Sequence, residues 1–149
     1  MNESDIVVVG AGCMGAATAY HLLQRRPSLR VTVYDRDLTL ARASTLLSDG
    51  NVRIQFNLEE NILISRYAME VLESFGDQMA VDGYRPDVGM KKQGNLFFVD
   101  EENLDAARQG LELQRSLGCN VEWLDMETIR QRYPVLDSDR FVGGPFGPG

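Results

Sequence analysis

The stretch VVVGAGCMGAATAY, residues 7–20, constrains this chain more than any other part of it. Gly10, Gly12 and Gly15 follow a β-branched run and open an Ala-rich one. Residues 5–9, DIVVV, read as a short buried strand that ends on glycine. Residues 13–25 read as a helix, with Ala16, Ala17 and Ala19 leaving room for close packing and Pro27 ending it. Residues 30–34, RVTVY, read as a second strand. Strand, helix and strand in about 30 residues make a βαβ unit, with parallel strands and a right-handed crossover.

Glycines at this spacing, after a strand and before a helix, fit the binding of a dinucleotide pyrophosphate. Gly10 would allow the tight turn, Gly12 the approach of the phosphates to bare backbone, and Gly15 the close packing of helix on strand. Ala11, Cys13 and Met14 supply the intervening amides. The helix N-terminus then offers unpaired N–H groups and partial positive charge. An acid at the end of the second strand should accept hydrogen bonds from an adenosine ribose. Asp35 stands there, 20 residues past Gly15. Its charge would repel a 2′-phosphate and so disfavours NADP, although the neighbouring Arg36 acts in the other direction. This fingerprint leaves NAD and FAD both open, and the bland alternative is a glycine-rich turn with no ligand.

Composition narrows the partners. The chain of 149 residues has 15 basic and 22 acidic residues, a net charge of −7, which argues against nucleic acid or an anionic membrane surface. Cys13 and Cys119 form no metal or redox spacing, and His21 is the only histidine, so no metal centre is expected and a cytosolic, reducing setting is. The polar N-terminus lacks the pattern of a signal peptide, and no apolar run reaches the ~20 residues of a membrane span.

Further along, Asn57 with Glu60 reads as a capping box that opens a helix to about Ser74, closed by Gly76. The Gly/Pro-containing stretch VDGYRPDVGM marks a domain crossover, giving an N-terminal segment 1–82 and a second segment 83–149. Residues 94–100 read as a strand, Asp100 as the cap of a helix over 101–117 ending at Gly118, NVEWL as a strand and 126–132 as a short helix. The tail FVGGPFGPG reads as turns.

The segment ARASTLLSDGNVRIQFNLEENILIS, residues 41–65, resembles the loop after the second strand in the FAD-dependent D-amino acid oxidase superfamily, which oxidises glycine, sarcosine and dimethylglycine. The likeness is greatest to the FAD-dependent oxidoreductase domain-containing branch. Ala43, Ser44, Thr45, Leu47, Ser48, Gly50, Arg53, Gln55, Phe56, Glu60, Asn61 and Ile62 carry it. Asp49 and Asn51 depart from it, the latter replacing a second glycine. QGNLFFVDEENL at 93–104 and LGCNVEWLDMETIRQRYPVL at 117–136 resemble later segments of the same family, with Asn95 where an aromatic is usual.

The resemblance implies FAD as cofactor, held at its pyrophosphate by Gly10, Gly12 and Gly15 and at its ribose by Asp35. It places Ser44 and Thr45 along the phosphate or ribityl path and Arg53 near the flavin or a substrate carboxylate, an ordinary salt bridge being the alternative for Arg53. The expected fold class is α/β: an N-terminal Rossmann-like (βαβ) FAD-binding domain and the beginning of an α+β substrate domain, both incomplete. The expected chemistry is oxidation of the C–N bond of a small amine or amino acid by hydride transfer to flavin. The alternatives are an NAD-dependent dehydrogenase and a non-catalytic fragment or assembly factor. The likeness covers only the early part of a family member, so the chain is expected to need the remaining part of its own fold or an oligomer partner, and alone neither to hold FAD tightly nor to turn over an amine.

Overall fold

A computed structural model describes residues 4–136 and 139–148. The chain divides into two compact units, Met1–Asn51 and Val52–Gly149.

In the first unit, β1 (Ile6–Val9) and β2 (Val31–Tyr34) pair in parallel, Ile6 against Val31 through Val9 against Tyr34. Between them runs α1 (Cys13–Arg25), which the sequence pattern delimits to the residue. The sheet is clamped where it starts. The Asp5 amide donates to the Arg30 carbonyl at 3.0 Å, and the Arg30 guanidinium returns to Asp5 Oδ1 at 3.0 Å. At the other end the Gly10 amide donates to the Tyr34 carbonyl at 2.7 Å, so the glycine-rich turn is tied to the second strand. A four-residue helix, α2 (Ser44–Leu47), closes the unit. Val9 and Tyr34 are 88% and 62% exposed, so this two-stranded sheet keeps apolar surface in the open.

The second unit opens on α3 (Glu59–Gln78). It continues through β3 (Asn95–Leu96), a 3₁₀ turn at Glu101–Asn103, α4 (Leu104–Ser116), β4 (Glu122–Asp125), α5 (Met126–Arg132) and β5 (Gly143–Gly147). The strands form an antiparallel sheet in the order β3-β5-β4. Ile62 of α3 and Leu111 of α4 are buried together with Cys119 and Val121. A second cluster joins Leu124, Met126 and Ile129 beneath Phe98, Phe141 and Phe146. The expected Asp100 cap is present and accepts the Asn103 amide. Asp125, not singled out from the sequence, caps α5 by accepting the Thr128 amide. Gly118, at φ +77°, follows α4 as its C-terminal turn requires.

Several sequence expectations are corrected here. Asn57 does not cap α3. The residue before the helix is Leu58, no side-chain cap is made, and the Asn57 Oδ1 atom lies 2.5 Å from where a Cβ on Gly110 would stand. Gly110 therefore admits the Asn57 carboxamide against α4. Gly76 does not end α3 but lies within it, where a Cβ would come within 2.9 Å of the Pro86 carbonyl, so the close approach of that segment rather than a helix end accounts for the glycine. Residues 94–100 are strand only at Asn95–Leu96, with a single further bridge from Val99 to Gly143.

The tail expected as turns contains β5, the central strand of its sheet. A Cβ on Gly144 would meet the Phe97 carbonyl oxygen at 1.7 Å, and one on Gly147 the Gln55 carboxamide at 3.0 Å. The glycines are there because neighbouring backbone and the buried Gln55 leave no room. The boundary expected at 82/83 falls inside the second unit, whose core already includes Ile62.

Among the described residues no helix is long and apolar enough to cross a membrane, and no group of three or more His, Cys, Asp or Glu is placed to hold a metal.

Candidate functional site

At the carboxyl ends of β1 and β2 the first unit opens into a cleft of about 400 Å³. Parallel sheets bind ligands at this end, because the turn into the next helix points amides there.

One wall is the turn into α1. Gly10 takes φ +103°, a conformation that side chains strongly disfavour. Gly12 has an ordinary φ of −64°, and a Cβ on it would meet no atom within 4 Å. Since Gly12 lines the cleft, a side chain there would occupy ligand space rather than protein space. Gly15 differs: its Cβ would sit 1.8 Å from the Gly10 carbonyl oxygen. The three glycines thus have three separate reasons, one for the turn, one for the ligand and one for helix–strand packing.

Gly12 is also the N-cap of α1 and contributes no side chain. The first intrahelical bond is donated by Ala16 to the Gly12 carbonyl at 2.9 Å. The amides of Cys13, Met14 and Gly15 are therefore left for a ligand, at the positive end of the helix dipole and with no acid in the first turn.

The second wall carries Asp35, Arg36 and Asp37. Asp35 Oδ2 accepts the Ala11 amide at 2.7 Å and Oδ1 accepts the Asp37 amide at 2.9 Å. Those two bonds, the Ala11 one first, outweigh desolvation and with the nearby Arg36 charge hold the Asp35 carboxyl below its ordinary 3.8. It stays ionised in neutral solution. A carboxylate has about four acceptor positions, so two remain for hydroxyl groups. Asp37 in turn accepts the Thr39 amide and hydroxyl at 3.0 and 2.6 Å.

The third wall includes Leu40, Arg42, Ala43, Ser44 and Thr45. Leu40 has φ +57°, a left-handed backbone at a residue that disfavours it, and Ala43 donates to its carbonyl at 2.8 Å. Gly50 at φ +70° makes the turn that the family pattern gives to two glycines. Asn51 needs no positive φ, and its amide donates to Asp49 Oδ1 at 3.3 Å.

The cleft brings together Gly10, Gly12, Cys13, Met14, Gly15, Asp35, Arg36, Ser44 and Thr45. Ala11 is not among its lining residues, and its amide is taken by Asp35 Oδ2. Arg53 belongs to the second unit. Its guanidinium carbon lies 5.0 Å from the ring centres of both Phe56 and Phe97, and it makes no salt bridge to a described residue. Sequence reasoning did not single out Asp37, Leu40 or Arg42. For Asp37 the signal was available in DLT, an acid two residues before a threonine that its carboxylate can cap.

A family model described as FAD dependent oxidoreductase matches residues 5–149. The chain belongs to that family. Among curated proteins, FAD-dependent oxidoreductase domain-containing protein 1 of Xenopus laevis is 32% identical over 97% of this chain and 30% of its own length. Among solved structures, L-proline dehydrogenase from P. horikoshii aligns with a TM-score of 0.79 at 25% identity, over 99% of this chain and 37% of that one. Glycine oxidase from Geobacillus kaustophilus aligns with a TM-score of 0.77 at 21% identity, over 100% of this chain and 40% of that one, which supports the fold. The chain therefore spans about three tenths of the length of the curated relatives it matches.

FAD is the cofactor of this family, and the residues of the cleft fit its ADP half. The open side of Gly12 leaves space for phosphate, three unpaired amides face that space, and an ionised Asp35 has acceptor positions to spare.

Proposed function

We propose that this protein serves the FAD-dependent oxidation of the C–N bond of a small amino acid or secondary amine, with the first unit holding the ADP half of the cofactor. The observation that carries the reading is Gly12: a glycine with an ordinary φ, required by no neighbouring atom, on the wall of a cleft lined by unpaired helix amides. One structural relative is an L-proline dehydrogenase and one curated relative a glycine oxidase, which supports an amino acid as the substrate class.

When bound, FAD supplies the acceptor for a hydride from the carbon beside the substrate nitrogen. The work of this chain is placement. The amides of Cys13–Gly15 bind the pyrophosphate, Asp35 orients the adenosine ribose, and Ser44 and Thr45 offer hydroxyls along the phosphate path. In the second unit the Arg53 guanidinium lies over the rings of Phe56 and Phe97. A cation over aromatic rings keeps N–H donors available to an anion, and a substrate carboxylate is the anion this reading assigns to Arg53.

FAD fluorescence titration tests the cofactor site. FAD should bind the protein, ADP should displace it, and riboflavin should not compete; competition by riboflavin and not by ADP would overturn the assignment of the cleft. In flavin-loaded protein that also carries the remaining part of the family fold, anaerobic addition of glycine, sarcosine or proline should bleach the flavin absorbance. Bleaching only by a 2-hydroxy acid of similar size would overturn the C–N assignment.

A further inference from the structure

Arg42 lines the cleft beside Ala43, Ser44 and Thr45, and its side chain is exposed. It makes no ion pair or hydrogen bond through its guanidinium to any described residue. The carboxylates that share the cleft are engaged elsewhere. Asp35 takes the amides of Ala11 and Asp37, and Asp37 takes Thr39. Arg36 lies close enough to Asp35 to help keep it ionised. Arg42 is thus a full positive charge on the cleft wall with no ion-pair partner among the described residues.

The cleft also holds the uncapped first turn of α1. A helix end presents only about half an elementary charge, whereas the diphosphate bridge of a dinucleotide carries two negative charges. The helix end alone leaves most of that charge uncompensated. A guanidinium binds phosphate oxygens through two parallel N–H bonds and keeps its charge at all working pH values.

Resting on the reading of the cleft as a dinucleotide site, we infer that Arg42 is the counter-ion of the pyrophosphate. One phosphate lies on the amides of Cys13–Gly15 and the other on Arg42 with the hydroxyls of Ser44 and Thr45. The first unit on this account recognises a diphosphate between two separate groups of donors, and adenosine alone uses only the Asp35 part. Arg42 is a binding residue that gives the site its preference for ADP-containing ligands.

Calorimetric titration of the chain with ADP, adenosine and inorganic pyrophosphate tests this, using the unchanged protein, Arg42→Gln and Arg42→Lys. Arg42→Gln should weaken ADP and pyrophosphate about tenfold or more and leave adenosine unchanged. Arg42→Lys should recover part of the loss, since a point charge replaces the fork. The difference between the unchanged protein and Arg42→Gln should shrink in molar salt, where exposed charges are screened within about 3 Å. Equal weakening of adenosine and ADP, or no change in ADP, would overturn the role of Arg42 while leaving the cofactor site in place. Failure of the unchanged protein to bind any of the three would overturn the site reading and Arg42 with it.

Discussion

The Asp35 carboxylate accepts the Ala11 amide at 2.7 Å, across 24 residues of chain. The acid assigned to the cofactor ribose is therefore also the residue that fixes the glycine-rich turn against the end of β2. Its second oxygen fixes the Asp37 amide, which starts the loop toward Arg42 and Ser44. One side chain thus ties the glycine-rich wall to the wall that follows β2, and its loss should affect shape as well as contact.

Asp35→Asn keeps the size of the side chain but offers one acceptor and one donor to two backbone donors. One amide then faces an NH₂ group. ADP affinity should fall by roughly ten- to hundredfold, with helix content by circular dichroism unchanged. An unchanged affinity would show that Asp35 is only a structural tie.

The same residue sets a pH dependence. Its folded pKa lies below the ordinary 3.8 because the Ala11 and Asp37 amides donate to the ionised form. A lowered folded pKa gives a contribution that is complete above the unfolded value and is lost as pH falls through the folded one. The Asp35 contribution to the order of the cleft should therefore be constant from neutrality down to about pH 5 and be lost below 3.8. The protection of the Ala11 amide, taken as its exchange rate by NMR relative to an unstructured amide at the same pH, should fall in that acid range and stay constant above it. In Asp35→Asn the acid step should be absent.

Gly12 and Gly15 should separate binding from folding. Gly12→Ala puts a methyl into open space at an ordinary φ, so the melting temperature should hold while ADP binding falls. Gly15→Ala puts a methyl 1.8 Å from the Gly10 carbonyl oxygen, and overpacking of this kind costs about 1–3 kcal/mol. Melting and ADP titration of both variants check the contrast. Equal thermal destabilisation would remove the distinction between the two glycines.

Gly76 supplies a test in the second unit. In an exposed helix interior, Gly→Ala stabilises by about 1 kcal/mol. In α3 the new methyl would come within 2.9 Å of the Pro86 carbonyl and 3.0 Å of the Arg85 side chain. Arg85 can move, but the Pro86 backbone cannot do so without shifting its segment. Gly76→Ala should therefore destabilise, by about 1–2 kcal/mol net, read from chemical denaturation. A gain in stability would show that the 85–86 segment moves at little cost.

What the sequence made legible was local. The β1–α1–β2 unit spans some 30 residues, and each signal within it, from the apolar run to the glycines to Asp35, acts on near neighbours. The ends of α1 and α5 followed from nearby breakers, Pro27 and Pro134, in the same way. The failures share a different cause. GGPFG reads as turn by composition, yet it becomes the middle strand because Phe97 and Gln55, far away in the chain, crowd against its glycines. Asn57 has the residue type of a cap, but its side chain is turned toward Gly110, more than 50 positions on. Arg42 sits in a stretch with no regular period, and only the folded loop places it on the same cleft as Gly12.

Calorimetric titration with ADP, comparing the unchanged chain with Gly12→Val, tests the central claim most directly. The account predicts saturable binding of one ADP per chain, abolished in Gly12→Val, with identical far-ultraviolet dichroism for the two proteins. ADP binding that survives in Gly12→Val, or its absence from the folded unchanged chain, would contradict the assignment of the cleft as the seat of the FAD pyrophosphate.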